Sequence, residues 1–126
     1  MDYQKINKQN IDSWEKALFY ITKVLDENNI KYYLSASGLE YLLGSNIYPY
    51  DIDIFMSKED VEKVYKLLSK YKTSKLHYWE EDNKKLLEFQ GIYDDRPFEI
   101  CEWEGEPEEF RTIYSDNNPI SILKTP

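Results

Sequence analysis

Two aspartates stand one residue apart in the segment DIDIFM, which spans Asp51–Met56. Because successive side chains of a β-strand point to opposite faces, Asp51 and Asp53 would share one face and Ile52 and Ile54 the other. The isoleucines can then be buried while the two carboxylates face a cleft. Carboxylates this close repel each other unless a cation lies between them, and paired hard oxygen ligands suit one or two Mg²⁺ ions. The alternative interpretation is an edge strand whose acidic face is solvated.

A third acid repeats this pattern later in the chain. In the segment PFEIC, alternation puts Phe98 and Ile100 on one face and Glu99 on the other. Carboxylates from neighbouring strands could hold two metal ions, an arrangement that supports phosphoryl or nucleotidyl transfer. Glu88 is a weaker candidate, and Glu102 falls on the apolar face by parity. Glu99 could equally belong to the acidic surface that runs from residue 94 to residue 109.

A run of small residues precedes the aspartates. The segment LSASG, residues 34–38, joins a predicted strand to a predicted short helix. Small side chains at Ser35, Ala36 and Ser37 would let a phosphate approach the backbone, and the helix N-terminus would offer unpaired N–H groups. Serine and glycine at such a junction also serve as ordinary helix caps and turns, so both interpretations stay open.

Hydrophobic periodicity predicts the elements that must position these residues. Helices are predicted over residues 10–29, 39–43 and 57–70, and strands over 30–36, 51–56, 75–80, 85–93 and 97–103. This order predicts an α/β (α+β) fold, with a mixed β-sheet and helices packed mainly on one face. Residues 105–126 are acidic and then carry the apolar piece Ile120–Leu123, to which no element is assigned. The length predicts a single domain over residues 1–126.

Composition and charge limit the classes of protein to consider. The formal net charge of −8 and a pI near 4.7 argue against a protein that holds duplex nucleic acid through its phosphates. A nucleotide bound through a divalent cation is compatible with this charge, because the cation supplies positive charge locally. The first ten residues lack an apolar signal core, and no apolar run reaches the length of a membrane span. We therefore expect a cytoplasmic protein without a membrane partner.

The chain contains one cysteine, Cys101, and one histidine, His77. A lone cysteine excludes an internal disulfide and fits a reducing compartment. We interpret Cys101 as a packed thiol and His77 as an ordinary strand residue. Tyr48, Tyr50 and Trp103 flank the predicted cleft, where they could stack on a nucleobase or simply pack.

The residues that carry these signals form a familiar series. The stretch YYLSASGLEYLLGSNIYPYDIDIFMSKEDVEKVYKLL, residues 32–68, resembles the nucleotidyltransferase superfamily with its polymerase-β-like fold. It is most similar to the small nucleotidyltransferases that modify lincosamides and aminoglycosides. The family's series is a strand, a Gly-Gly or Gly-Ser turn, a short helix, a loop, and then Asp-x-Asp on the next strand. A further carboxylate follows on a neighbouring strand, which residues 85–103 match more loosely.

The resemblance implies an activity and a set of site residues. The activity is Mg²⁺-dependent transfer of a nucleoside monophosphate from a nucleoside triphosphate such as ATP to a hydroxyl group of a small molecule or a protein. Asp51 and Asp53 would bind one or two Mg²⁺ ions, and Glu99 would bind metal or act as general base. Ser35 and Ala36, with Ser37 beside them, would contact the triphosphate.

Two departures from the family pattern keep an alternative open. Ser35 and Ala36 replace the glycines of the turn, and the loop SNIYPY, residues 45–50, lacks the basic residue that the family often carries before its acids. The alternative is a catalytically degenerate domain that binds a nucleotide or a protein partner. Many relatives also contain a helical domain that holds the acceptor, so we consider a homodimer or a helical partner subunit for this chain.

Overall fold

The structure is a computed structural model that describes residues 6–124 of the chain. Within that range, three helices are α1 (Ile11–Glu27), α2 (Ala36–Leu42) and α3 (Lys58–Leu67). The strands are β1 (Tyr32–Ser35), β2 (Ile52–Met56), β3 (His77–Glu81), β4 (Lys84–Tyr93), β5 (Arg96–Glu102), β6 (Phe110–Ser115) and β7 (Asn118–Leu123). The predicted mixed α/β architecture is confirmed.

Five of the strands form one mixed sheet in the order β1-β2-β5-β4-β3. β2 and β5 are parallel, whereas each of the other neighbouring pairs is antiparallel. The strands that carry the predicted acids, β2 and β5, are therefore adjacent inside the sheet although about 45 residues separate them in the chain.

The helices cover one face of this sheet. On β2 the side chains of Ile52, Ile54 and Met56 are fully buried, while the alternate positions are only partly buried. The long helix α1 contributes its own apolar stripe to the same core, including Trp14 and Leu18. The opposite face of the sheet is left to the alternate side chains of β2, β5 and β4. No helix among residues 6–124 is long and apolar enough to cross a membrane.

The short helix begins earlier than the sequence pattern predicts. α2 starts at Ala36 rather than at Leu39, so Ser37 and Gly38 are helical residues and do not form a separate turn. Ser35, at the end of β1, is the N-cap residue and has an extended backbone. The hydrophobic pattern placed the start of α2 too late, because a seven-residue helix with few apolar positions gives a weak periodic signal.

The segment after β5 forms a hairpin that the sequence pattern did not indicate. β6 pairs with β7 in antiparallel register, and Ile120 and Ile122 of β7 are buried in the main core. The backbone N–H of Ser121 donates to the Tyr32 hydroxyl of β1 at 3.2 Å. The apolar piece Ile120–Leu123 is therefore a strand that closes the core beside β1.

Each of the three hairpins turns through two residues with left-handed backbone conformations. Asparagine and aspartate tolerate positive φ better than other non-glycine residues do, and two such residues make the turn that best matches the twist of a hairpin. The turn residues are Asp82 and Asn83, Asp94 and Asp95, and Asp116 and Asn117. These turns fix the register of β3 with β4 and of β4 with β5.

Candidate active site

Strand register aligns the predicted acids across the sheet. Asp53 of β2 lies directly opposite Glu99 of its parallel neighbour β5. On the same line, Ser35 of β1 lies opposite Asp53, and Gln90 of β4 lies opposite Glu99. We call these four residues the acid row. By alternation, the acid row lies on the sheet face that points away from the buried isoleucines of β2.

Asp51 stands immediately before β2 and beside the acid row. Its side chain lies within hydrogen-bonding reach of the carboxyl group of Asp53. Its backbone carbonyl accepts a hydrogen bond from Nε1 of Trp14 at 3.3 Å, which fixes this end of the loop to α1. Two carboxyl groups this close repel each other when both are ionised, and a cation between them would relieve that repulsion.

The electrostatics of Asp53 reflect this crowding. Burial raises the pKa of Asp53 from its ordinary value of 3.8 to about 7, and the neighbouring carboxylate of Asp51 raises it as well. Glu99 and Glu88 add smaller contributions with the same sign. Acidic neighbours therefore make the ionised form of Asp53 costly, and a cation bound between these groups would relieve that cost.

Glu99 forms a second carboxyl pair, with Glu88 of β4. The pKa of Glu99 is raised from 4.5 to about 7, mainly by burial and then by a hydrogen bond to Glu88. A hydrogen bond to Gln90 acts in the opposite direction and lowers this pKa. Glu88 is buried, with 6% of its surface exposed. The sequence made Glu88 a weaker candidate, yet in the structure its carboxylate and that of Glu99 have oxygen atoms within 4.8 Å of each other.

A second line of side chains crosses the same face of the sheet beside the acid row. We call it the mixed row, and its register partners run from β1 to β3 as Tyr33, Phe55, Cys101, Glu88 and His77. A cleft of about 360 Å³ opens over this face, lined by Phe55, Trp79, Leu86, Glu88, Glu99 and Cys101. Glu88 and Glu99 therefore border a partly apolar cleft.

The register of β3, β4 and β5 in these rows was available from the sequence. A two-residue turn at Asp82 and Asn83 makes residue 81 face residue 84, and counting outwards then places His77 opposite Glu88. The turn at Asp94 and Asp95 similarly places Glu88 opposite Cys101. The pairing of β2 with β5 had no such local signal, because parallel neighbours are joined by long connections.

The aromatic residues proposed to stack on a base have different environments. Trp103 is buried and stacks on Tyr33, with ring centroids 6.2 Å apart. Tyr48 stacks on Tyr41 at 5.9 Å, while 68% of Tyr50 is exposed. Trp103 is therefore packed in the protein interior. Of the three residues, only Tyr50 is both highly exposed and next to Asp51.

Two basic residues that could neutralise a triphosphate lie away from the acid row. Nε of Arg96 donates to the Ser13 hydroxyl of α1 at 3.0 Å, and its side chain is buried on the helix side of the sheet. Lys58 opens α3, where its ammonium lies 5.4 Å from the ring centre of Tyr78. Neither residue compensates for the absence of a basic residue in the loop 45–50.

The residues that the resemblance places against the triphosphate lie at the junction of β1 and α2. Ser35 belongs to the acid row, directly opposite Asp53. Ala36 has a left-handed backbone with φ of 59°, which costs an alanine about 1–2 kcal/mol. The hydroxyl of Ser37 accepts a hydrogen bond from the Tyr50 backbone N–H at 3.0 Å. Ser37 therefore also holds the loop that leads to Asp51.

The chemistry of this donor set fits a divalent cation. Two hydrogen-bonded carboxyl pairs, Asp51 with Asp53 and Glu88 with Glu99, lie on one sheet face. Their oxygens are the hard ligands that Mg²⁺ prefers. Donor atoms of Glu88, Glu99 and Cys101 lie within 4.8 Å of one another, so Glu99 belongs to a tight cluster on one side and faces Asp53 on the other.

Comparison with known proteins gives a fold but no sequence family. No protein-family model matches the chain, and no curated protein is significantly similar to it in sequence. The structure is similar to the crystal structure of a provisionally assigned nucleotidyltransferase from Thermotoga maritima, with a TM-score of 0.79 and 17% sequence identity. The match covers 97% of this chain and 82% of the other. The chain therefore has a nucleotidyltransferase-like fold.

Proposed function

We propose that the protein is a metal-dependent nucleotidyltransferase. It would move a nucleoside monophosphate from a nucleoside triphosphate, such as ATP, to a hydroxyl group of a small molecule or a protein. The observation that carries this proposal is the direct register of Asp53 with Glu99 on adjacent parallel strands, with Asp51 hydrogen-bonded to Asp53. The nucleotidyltransferase-like fold supports the same conclusion independently of these side chains.

Asp51 and Asp53 are the residues that would hold Mg²⁺, with Glu99 next to them. Bound there, Mg²⁺ would supply the positive charge that a triphosphate and its pyrophosphate leaving group require. The carboxyl group of Asp53 must be ionised to act as a metal ligand. Because the pKa of Asp53 is about 7, metal binding should strengthen as the pH rises through neutrality.

Glu99 is suited to take a proton from the acceptor. A general base works best when its pKa lies near the working pH, and burial together with Glu88 raises the pKa of Glu99 to about 7. The acceptor oxygen would attack the α-phosphorus, the bond to pyrophosphate would break, and the hydroxyl proton would pass to Glu99. The cleft beside Glu99 offers Phe55 and Trp79 as apolar walls for the body of an acceptor.

Ser35, Ala36 and Ser37 would lie along the triphosphate. Ser35 faces Asp53 across β1 and β2, so its hydroxyl could donate to a phosphate oxygen near the metal. The proposal assigns no basic side chain to this task, because Arg96 and Lys58 lie on the helix side. Neutralisation of the triphosphate would therefore depend mainly on Mg²⁺.

The test is thermal unfolding with Mg²⁺, ATP and both together. If both bind the folded protein, a concentration one hundred times the dissociation constant stabilises it by about 2.7 kcal/mol, which raises the melting temperature of a chain of this size by roughly 10 °C. Replacing both aspartates, Asp51→Asn with Asp53→Asn, should abolish the Mg²⁺-dependent part. Glu62→Gln, on the exposed side of α3, is a matched control that should retain the shift.

The same samples distinguish an enzyme from a binding module. The loop 45–50 without a basic residue is the observation that favours a degenerate binding module. Pyrophosphate release with any member of a panel of hydroxyl acceptors supports the enzyme, and it should disappear in Glu99→Gln. A thermal shift without pyrophosphate release supports the binding module. The absence of any shift with Mg²⁺ and a set of four nucleoside triphosphates would exclude both the enzyme and a nucleotide-binding module.

A further inference from the structure

The only histidine and the only cysteine of the chain converge on one buried carboxylate. Nε2 of His77 lies 3.0 Å from Oε1 of Glu88, and Sγ of Cys101 lies 3.3 Å from Oε2 of the same residue. Since the chain contains no other His or Cys, Glu88 is the one carboxylate among residues 6–124 that contacts both of these residue types. Neither residue has a role in the proposed nucleotidyl transfer.

The geometry of the sheet produces this convergence. His77, Glu88 and Cys101 are register partners on the consecutive strands β3, β4 and β5. The outer two therefore stand two strand spacings apart, about 9.5 Å, and both side chains reach toward Glu88 between them. Glu88 is 6% exposed and Cys101 is 7% exposed, whereas the His77 side chain is 41% exposed and has room to turn.

The Nδ1 atom of His77 contacts a backbone carbonyl, and its Nε2 atom faces the carboxylate of Glu88. Nδ1 lies 2.8 Å from the backbone carbonyl of Lys75 and must carry a hydrogen to donate to it. In the neutral ring Nε2 is then an acceptor, and at 3.0 Å it opposes the carboxylate oxygen of Glu88, which is also an acceptor. A proton or a metal ion must satisfy both. Metal-ligating histidines are commonly oriented by this kind of Nδ1 contact with a backbone carbonyl.

Three of the four donors lie close enough together for one small ion, because ligand atoms of Glu88, Glu99 and Cys101 are all within 4.8 Å of one another. Zinc bonds of about 2.0–2.1 Å to nitrogen, 2.0–2.2 Å to oxygen and 2.3 Å to sulfur give donors roughly 3.3–3.7 Å apart in a tetrahedral site. Here Sγ of Cys101 lies 3.3 Å from Oε2 of Glu88 and 3.9 Å from Oε1 of Glu99. Nε2 of His77 lies 3.0 Å from the other oxygen of Glu88, and its half-exposed ring must turn toward Cys101 to join the group around one ion. Oxygen, nitrogen and sulfur donors together favour zinc or cobalt over magnesium.

We propose that His77, Glu88 and Cys101, with Glu99 as a fourth donor, form a binding site for a divalent transition metal of the zinc class. Because Glu99 is also the proposed general base, a metal bound here would inhibit nucleotidyl transfer. This site differs from the Asp51–Asp53 pair in its ligands and in its preferred metal. The cleft of about 360 Å³ that Glu88, Glu99 and Cys101 line gives an ion access to the buried donors. The proposal does not depend on nucleotidyl transfer.

The test is titration of the tag-free, reduced, full chain with Co²⁺ alone, in the absence of nucleotide. A cobalt–thiolate bond produces a charge-transfer band in the near ultraviolet, and Cys101 is the only residue that can form it. We expect saturation at one equivalent, with visible bands of tetrahedral intensity that Zn²⁺ bleaches. Excess Mg²⁺ should not bleach them.

Variants assign the ligands and keep the result interpretable. Cys101→Ser should remove the charge-transfer band, and His77→Gln should weaken Co²⁺ binding by at least the 10–100-fold that loss of an outer partner costs. Asp51→Asn, which disables the proposed nucleotidyl-transfer site, should retain both bands. Thermal melting without metal checks that each variant is folded, and His77, on the edge strand β3, can be replaced with little effect on the core.

Two results would overturn the proposal. One is the absence of a charge-transfer band in the parent protein at saturating Co²⁺. The other is a band that His77→Gln leaves at full affinity, because His77 and Glu88 would then form only a proton-dependent ion pair. Since the readout involves neither Mg²⁺ nor ATP, failure here is distinct from failure of the proposed nucleotidyl transfer.

Discussion

Replacing Asp53 by asparagine should stabilise the metal-free protein, and the gain should grow with pH. The pKa of Asp53 is about 7 in the folded chain and its ordinary value is 3.8. Between these values the folded state binds more protons than the unfolded state, so stability falls as the pH rises through this window. Asparagine keeps the shape of the side chain but has no charge to desolvate.

The expected magnitude follows from that difference. Each pH unit within the window is worth about 1.4 kcal/mol for one proton, so the interval from about pH 5 to the pKa near 7 sets an upper bound of about 2.7 kcal/mol. Asp53 is only partly buried, so screening by solvent reduces this effect. We expect the advantage of Asp53→Asn to grow by about 1–2 kcal/mol between about pH 5 and about pH 8.

Urea unfolding followed by tryptophan fluorescence, with a chelator present, measures this difference. Parent, Asp53→Asn and the exposed control Glu62→Gln are compared at several pH values across the window. Addition of Mg²⁺ at about pH 8 should then stabilise the parent more than the variant, because the parent alone has the full set of ionised ligands. If Asp53→Asn destabilises the chain by the same amount at every pH, the reasoning about the crowded carboxyl pair is wrong.

Three further substitutions test the fold around the site, each by the change in urea midpoint. Ala36→Gly should stabilise the chain by up to about 1 kcal/mol, because glycine adopts the left-handed φ of 59° without strain; a loss of stability would contradict this. Gly91→Ala should cost about 1–3 kcal/mol, because the added Cβ would overlap the Phe98 ring; an unchanged midpoint would show that the ring moves freely. Ile122→Ala should cost about 2–5 kcal/mol, because Ile122 is buried where the hairpin closes the core; a cost typical of a surface position would mean that β7 is not part of that core.

Local patterns in the sequence were sufficient for much of the fold. The apolar stripe of α1 and the alternation of Ile52 and Ile54 predicted a helix and a half-buried strand, and both are present. Ser57 predicted the start of α3, and its hydroxyl accepts a hydrogen bond from the Asp60 backbone N–H at 3.2 Å. These features depend on neighbours only a few residues away, so the sequence contains their causes.

The errors occurred where local patterns are weak. α2 begins at Ala36, and a seven-residue helix has too few apolar positions to reveal its start. The hairpin of β6 and β7 was missed because none of the residues of its first strand is buried, although Asp116 and Asn117 form the same kind of two-residue turn as the other hairpins. Turn chemistry would have been the better guide there.

The sequence by itself determined that Asp51 and Asp53 are close and that Glu99 points away from an apolar pair, because strand alternation is a property of the backbone. Only the tertiary structure decided that Asp53 and Glu99 are direct neighbours, since the pairing of β2 with the distant β5 depends on how the whole sheet is assembled. Burial in the assembled chain also raised the pKa of Asp53 and of Glu99. Distances between remote segments and desolvation are properties of the packed chain, and no local pattern contains them.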